Sequence, residues 1–95
     1  VDDAARLRAE DLDLVRAVRR GDPAGWQRLL AAYQDKIYAL CFRIGGRRWA
    51  DDLAQDAMIR VIQGLDSYDG RSRLSAWIYR VTANVCLSRL RSEKY

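Results

Sequence analysis

Apolar residues recur every three or four positions between Trp26 and Ile44, and this spacing limits the fold more than any other feature of the sequence. A helix turns about every 3.6 residues, so side chains at these intervals share one face and are buried together. The pattern predicts a helix of about six turns. Asp22 is its predicted N-cap, Pro23 fits its first position, and Gly45-Gly46 is expected to end it.

Three further stretches show helical periodicity. The first predicted helix covers residues 11–20, whereas residues 1–10 have a weak apolar stripe and are expected to be frayed or disordered. The third covers about residues 50–64, and the fourth follows the turn sequence "DSYDGRS", with Ser72 as a suitable cap. No window alternates apolar and polar residues. We therefore predict an all-α fold, a compact bundle of four helices with one core and no sheet.

Composition excludes several kinds of function. The chain contains no histidine, so histidine-dependent nucleophiles and histidine metal sites are excluded. Cys41 and Cys86 are isolated beside apolar positions, where a free cysteine acts as a small hydrophobe; a disulfide is the less favoured alternative. We predict that the protein is not an enzyme and that it binds neither a metal ion nor a cofactor. No apolar run approaches the ~20 residues that cross a bilayer, and no secretory leader is evident, so a cytoplasmic location is expected.

Acidic and basic side chains are segregated in the second half of the chain. Residues 51–69 carry five acidic side chains and one basic one, whereas residues 70–95 carry six basic side chains and one acidic one. An acidic block beside a basic block indicates two surfaces for two different partners. The alternative is a solvated surface with unevenly distributed charge.

The third predicted helix carries one outward polar stripe, which consists of Asp52, Gln55, Asp56 and Gln63. The helix dipole favours acidic residues in the first turn, but it accounts less well for Gln55 and Asp56. A catalytic or metal-binding pair of carboxylates would need a pocket and further ligands, which the sequence does not supply. The stripe is therefore interpreted as a surface for a partner.

Basic and polar residues share one side of the fourth predicted helix and the loop before it. Arginine offers a planar, charged fork that suits phosphate, and asparagine offers a donor and an acceptor that suit a base edge. Trp77 fits the core better than it fits a stacking role, because it follows the apolar periodicity. The candidate nucleic-acid contacts are Ser72, Arg73, Arg80, Asn84, Ser88 and Arg91.

Three segments resemble a known family in their order and spacing. They are "DLAQDAMIRV", "LDSYDG" and "AWIYRVTANVCLSRLR", and together they resemble region 2 of bacterial RNA polymerase sigma factors of the extracytoplasmic-function (ECF) group. The upstream "RAVRRGDPAGWQRLLAAYQDKIYALCFRIGG" is similar to the first two helices of that region. The resemblance covers about residues 11–91 and implies that residues 11–95 form a sigma factor region 2 domain.

The resemblance implies two binding surfaces. The acidic stripe would dock on the clamp coiled coil of the largest subunit of core RNA polymerase, through Asp52, Gln55 and Asp56. The loop and the fourth helix would recognise and melt the −10 promoter element as single-stranded non-template DNA, with Asn84 at a base pocket. The remaining implied DNA contacts are Ser72, Arg73, Arg80, Ser88 and Arg91. The domain is expected to be monomeric, and an anti-sigma factor is a further candidate partner.

The sequence departs from the family pattern in two respects and leaves two alternatives open. Trp77 is followed by Ile78, where housekeeping sigma factors carry a tryptophan pair at the melting step, a reduction that the ECF group shares. The second DNA-reading domain of the family has no counterpart here, and the chain begins with Val1, so we expect a domain excised from a longer protein.

A duplex-binding helix-turn-helix regulator, the first alternative, would place the fourth helix in the major groove. An interaction-only helical module would carry its basic residues as incidental surface. The acidic stripe favours the sigma factor, because a simple regulator has no use for it.

Overall fold

Residues 2–93, the part of the chain that the computed structural model describes, contain three α-helices and one short 3₁₀-helix. Helix α1 is Asp3–Arg19, α2 is Pro23–Gly64 and α3 is Leu74–Glu93, and the 3₁₀-helix Leu65–Ser67 directly follows α2. These described residues contain no strand. The all-α prediction is confirmed, but the prediction of four separate helices is wrong, because the second and third predicted helices are one.

Gly46 explains why two predicted helices form a single kinked one. Its backbone angles, φ 75° and ψ 177°, lie outside the helical region and in a range that residues with a side chain rarely adopt. The chain returns to helical geometry immediately afterwards, without an intervening loop. Gly46 therefore interrupts the helical geometry at one residue and produces a kink. We refer to residues 23–45 and 47–64 as the N-terminal and C-terminal halves of α2.

Helix α1 begins at Asp3, eight residues before the predicted start at Asp11. The carboxylate of Asp2 accepts a hydrogen bond from the Ala4 amide at 3.0 Å and so caps the additional turns. Whether residues 1–10 fray stays a prediction. The predicted N-terminal segment, residues 1–10, includes Val1, and the predicted domain, residues 11–95, includes Lys94 and Tyr95. These three residues lie outside the described residues.

The predicted start of the second helix is confirmed. Asp22 is the N-cap of α2, and its carboxylate accepts a hydrogen bond from the Ala24 amide at 3.0 Å. Pro23 occupies the first helical position, where its missing N–H removes no helical hydrogen bond. Helices α1 and α2 pack closely near this end. The close approach is evident at Gly25, where an added Cβ atom would lie 2.7 Å from the Cβ of Ala17.

The core lies where α3 packs on both halves of α2 and where α1 packs on α2. The predicted apolar positions are buried or partly buried, except Leu30, which is 36% exposed. Trp77 packs against this core, and its ring meets that of Tyr68 edge-on at a centroid distance of 5.8 Å. Among the described helices, none has the combination of length and hydropathy that a transmembrane segment needs.

Cys41 and Cys86 are free and fully buried in this core, with their Sγ atoms 3.5 Å apart. Burial raises the pKa of the Cys41 thiol to about 12 and raises the pKa of Cys86 as well. Both thiols are therefore protonated at neutral pH, and they pack as small apolar groups.

Candidate nucleic-acid interface

The loop between α2 and α3, residues 65–73, has an ordered internal structure. The carboxylate of Asp69 accepts a hydrogen bond from the Arg71 amide at 3.0 Å, as the predicted turn chemistry requires. The hydroxyl of Tyr68 donates to the backbone carbonyl of Ser72 at 2.5 Å. The side chains of Tyr68 and Asp69 thus each form a hydrogen bond with the backbone of this α2–α3 loop.

Helix α3 is capped from α1 and not from the loop. The buried carboxylate of Asp11, which is 7% exposed, accepts a hydrogen bond from the Leu74 amide at 2.9 Å. The prediction that Ser72 caps this helix is therefore wrong. Local sequence favoured Ser72 because capping is usually a short-range interaction, whereas the partner here lies 63 residues away in the chain.

Arg73 shares the same carboxylate. Its Nε atom donates to Oδ2 of Asp11 at 2.8 Å, and this hydrogen bond raises the pKa of Arg73. The charge of the buried Asp11 is thereby paired, as a carboxylate removed from water requires. The side chain of Arg73 remains 40% exposed. Arg73 therefore has a structural role in addition to any contact with phosphate.

Four of the five remaining predicted DNA contacts line two neighbouring clefts, Asn84 and Ser88 in one and Ser72 and Arg80 in the other. Asn84 and Ser88 are exposed in a groove of about 610 Å³ between α3 and the C-terminal half of α2. We call it the Asn84 groove, and its lining residues are Asp56, Ile59, Arg60, Gln63, Val81, Asn84, Val85, Ser88 and Arg89. Arg91 is exposed further along the helix and lines neither cleft.

Arg80 belongs to the second cleft, a hollow of about 340 Å³ beside the α2–α3 loop. We call it the loop cleft, and its lining residues are Ser67, Tyr68, Asp69, Arg71, Ser72, Trp77 and Arg80. The predicted contacts are therefore not one continuous row. The structure brings Ser72 together with Arg80, and Asn84 together with Ser88.

Asp56 lies in the Asn84 groove, on the boundary between the two predicted surfaces. Its carboxylate forms an ion pair with the Arg89 guanidinium across the groove. Asp52 and Gln55 are exposed on α2 outside this groove. Gln55 instead lines a cleft of about 450 Å³ between the two halves of α2. The acidic stripe and the DNA-reading face therefore meet at Asp56 and Gln63, whereas the sequence indicates two surfaces for two different partners.

A comparison with family models assigns most of this chain to one family. Residues 29–95 match the family model described as Sigma-70 region 2. The chain belongs to the sigma-70 region 2 family. Together with the ECF relatives described next, this match confirms the identification from sequence as an ECF sigma factor region 2 domain.

Individual relatives of this region 2 domain agree with that assignment. It is 37% identical over 81 residues to the ECF RNA polymerase sigma factor SigW of Bacillus subtilis strain 168, covering 84% of this chain and 43% of SigW. It is 34% identical over 74 residues to the ECF RNA polymerase sigma-E factor of Escherichia coli strain K12, covering 78% and 39% of the two chains. The domain thus spans about two fifths of the length of these curated relatives.

A solved structure shares the fold of this region 2 domain. It is the NMR structure of an engineered region 2 of sigmaE in complex with GTAAAA, with a TM-score of 0.77 and 31% sequence identity. The similarity covers 88% of each chain. The prediction of the fold type from the family resemblance is confirmed by this match.

Sequence reasoning missed three residues that shape the interface of the region 2 domain, namely Asp11, Arg19 and Arg89. A signal existed for Asp11, because it lies three, four and seven residues before Leu14, Val15 and Val18, on the buried face of α1. A carboxylate in register with core residues predicts a buried partner. We find no comparable local signal for Arg19 or Arg89, whose partners are 46 and 33 residues away.

Proposed function

We propose that this region 2 domain recognises a promoter element as single-stranded non-template DNA and docks on core RNA polymerase during transcription initiation. The domain would supply sequence recognition, and polymerase would perform the chemistry. The observation that carries the proposal is the exposure of Asn84 in a groove with both polar and apolar walls. The likeness to an engineered region 2 of sigmaE, which was solved in complex with GTAAAA, supports it.

The Asn84 groove has the composition that an unstacked base needs. Ile59, Val81 and Val85 provide apolar walls, and the Asn84 amide provides a donor and an acceptor for a base edge. A base that leaves its stack loses a few kcal/mol, and contacts in a pocket must offset that loss. The groove supplies both kinds of contact at one place.

Arg80 and Arg91 flank the Asn84 groove along α3. Both are exposed, and at 1.5 Å per residue they are about 16 Å apart along the helix axis. Phosphate contacts at two separated points would fix the register of a strand, while the groove between them tests the base.

The exposed surface around Asp52 and Gln55 is suited to a protein partner. The cleft that Gln55 lines also includes the exposed apolar residues Leu30, Tyr38 and Ile59. A partly apolar centre with a polar rim is typical of protein–protein interfaces. The acidic side chains of this surface would repel DNA phosphates, so we assign it to core RNA polymerase.

Replacing Asn84 by alanine is expected to weaken binding to the preferred single strand by ~1–3 kcal/mol and to leave a scrambled strand nearly unaffected, because only base reading is lost. The measurement is a titration of fluorescent strands from a panel that includes GTAAAA, each compared with its scrambled sequence and its matched duplex. Gln27→Ala removes an exposed amide from α2 and is the control. Equal losses on both single strands would contradict base reading by Asn84, and tighter binding to duplex would favour the helix-turn-helix alternative.

Replacing Arg80 or Arg91 by alanine is expected to lower affinity for all strands and to reduce the salt dependence of binding. Each lost phosphate contact on a single strand reduces the slope of log K against log salt by about 0.7. The slope is measured by titration between low and moderate salt. Arg28→Ala removes the same charge from an exposed position of α2 and should leave the slope nearly unchanged. A slope equal to that of the unmodified domain in both variants would contradict phosphate contact.

A further inference from the structure

We propose that α1 is a positioning element, which holds the α2–α3 loop in the shape that single-stranded DNA binds. Three residues of α1, Asp11, Leu12 and Arg19, contact the loop or the helix that follows it. This inference rests on the proposed function, because it assigns a role to residues that act on the DNA-reading loop from behind.

Arg19 fixes the beginning of the loop. Its Nε atom donates to the Leu65 carbonyl at 3.0 Å, and its Nη2 atom donates to the Tyr68 carbonyl at 2.9 Å. Leu65 is the C-cap of α2 and the first residue of the 3₁₀-helix, and its carbonyl also accepts a hydrogen bond from the Tyr68 amide at 3.2 Å. One guanidinium thus binds two carbonyls where the chain leaves α2, and a cation also interacts favourably with the helix C-terminus.

Asp11 fixes the end of the loop. Its single Oδ2 atom receives both the Leu74 amide, which opens α3, and the Arg73 guanidinium. Asp11 and Arg19 are eight residues apart, which is about two helical turns or 12 Å along α1. Their spacing on one rigid helix therefore sets the separation between the two ends of the loop.

Leu12 supports the middle of the loop. A Cβ atom added at Gly70 would lie 2.9–3.1 Å from three carbon atoms of the Leu12 side chain, so the loop backbone rests directly on that side chain. Gly70 has a φ of 82°, which a larger residue would adopt only with strain. The loop is thus held at both ends and at its centre by one helix.

These three residues act through the loop and not by touching the strand. None of them lines the loop cleft or the Asn84 groove. Tyr68 and Ser72, which α1 helps to place, do line the loop cleft beside Arg80. A loop that is ordered before binding loses less conformational freedom when the strand arrives, so the benefit appears in affinity for the correct strand.

The test compares two arginines in the last turn of α1. Arg19→Ala removes the hydrogen bonds to the loop, whereas Arg16→Ala removes only an exposed ion pair with Asp13 at 3.7 Å. Both variants lose one positive charge at nearly the same place. The measured quantity is the ratio of affinities for the best-bound strand of the panel and its scrambled counterpart. We expect Arg19→Ala to lower this ratio about tenfold and Arg16→Ala to leave it unchanged.

Arg19→Lys and hydrogen exchange separate positioning from simple stabilisation. Lysine keeps the charge but not the fork that reaches two carbonyls, so the ratio should recover only in part. In Arg19→Ala, the Tyr68 and Leu74 amides should exchange about tenfold faster, while the Cys86 amide in the core of α3 keeps its rate. Leu12→Ala, which leaves all charges in place, carries the same expectations if Arg19→Ala does not fold.

The possible outcomes are distinguishable. A lowered melting temperature with an unchanged affinity ratio and unchanged loop exchange would overturn the inference, because α1 would then only stabilise the fold. A wild-type domain that prefers no strand over its scrambled counterpart would overturn the proposed function, and this inference with it. If Arg19→Ala lowers the affinity ratio and speeds exchange of the loop amides, and Arg16→Ala does not lower the ratio, both the inference and the proposed function are supported.

Discussion

Replacing Asp56 by lysine is expected to weaken binding to core RNA polymerase by about a hundredfold or more. The change would place a cation in place of a carboxylate at the border of the proposed docking surface, and like charges opposed across an interface cost several kcal/mol. It would also oppose the new lysine to Arg89, the present partner of Asp56. The measurement is a binding titration of the labelled domain against purified bacterial core polymerase, with circular dichroism to verify the fold.

Two controls separate the contributions of Asp56. Asp13→Lys makes the same charge reversal at an exposed position of α1 and should bind polymerase nearly as well as the unmodified domain. Arg89→Ala breaks the same ion pair but keeps the carboxylate. If Arg89→Ala weakens binding as much as Asp56→Lys, the ion pair and not a contact from Asp56 explains the loss. Undiminished binding by Asp56→Lys would mean that the docking surface is elsewhere.

Replacing Leu53 by alanine is expected to lower the free energy of unfolding by about 3 kcal/mol. Leu53 is fully buried, and its Cδ1 atom would lie only 2.5 Å from a Cβ at Gly45, so it fills the inside of the kink in α2. Its truncation leaves a cavity where the two halves of the helix meet. Domains of this size are stable by ~5–15 kcal/mol, so the loss is a large fraction of the total.

Urea unfolding of Leu53→Ala, followed by circular dichroism, measures this loss. Ile59→Ala, on the same half of α2, truncates a side chain that is 48% exposed and should cost less than about 1 kcal/mol. Similar losses in the two variants would show that the kink is not packed around Leu53. The slope of free energy against urea should stay the same in both, because neither change alters the surface exposed on unfolding by much.

Most of the candidate site was predictable from sequence as a set of residue types, but not as a geometry. The periodicity of α3 put Asn84 and Ser88 on its outer side, where the structure has them. It could not assign Arg80 to the loop cleft and Asn84 to a separate groove, because the cleft walls come from the loop and from α2. The roles of these residues in binding stay predictions.

The amino-acid sequence by itself determined the helical class, most core positions, the cap of α2 and the place where α2 bends. These features depend on neighbours within one or two turns, such as Asp22 with Ala24 or the apolar stripe that includes Leu29 and Tyr33. Such short-range interactions leave a periodic pattern in the chain.

Only the tertiary structure decided that the two halves of α2 follow each other across a kink at Gly46 without a loop, that Asp11 caps α3 and that Asp56 meets Arg89. In the two contacts, the partners are 63 and 33 residues apart. Whether a glycine ends a helix or only bends it depends on where the following segment finds apolar surface to bury. Contacts between distant residues arise from the packing of whole helices, so no local pattern encodes them.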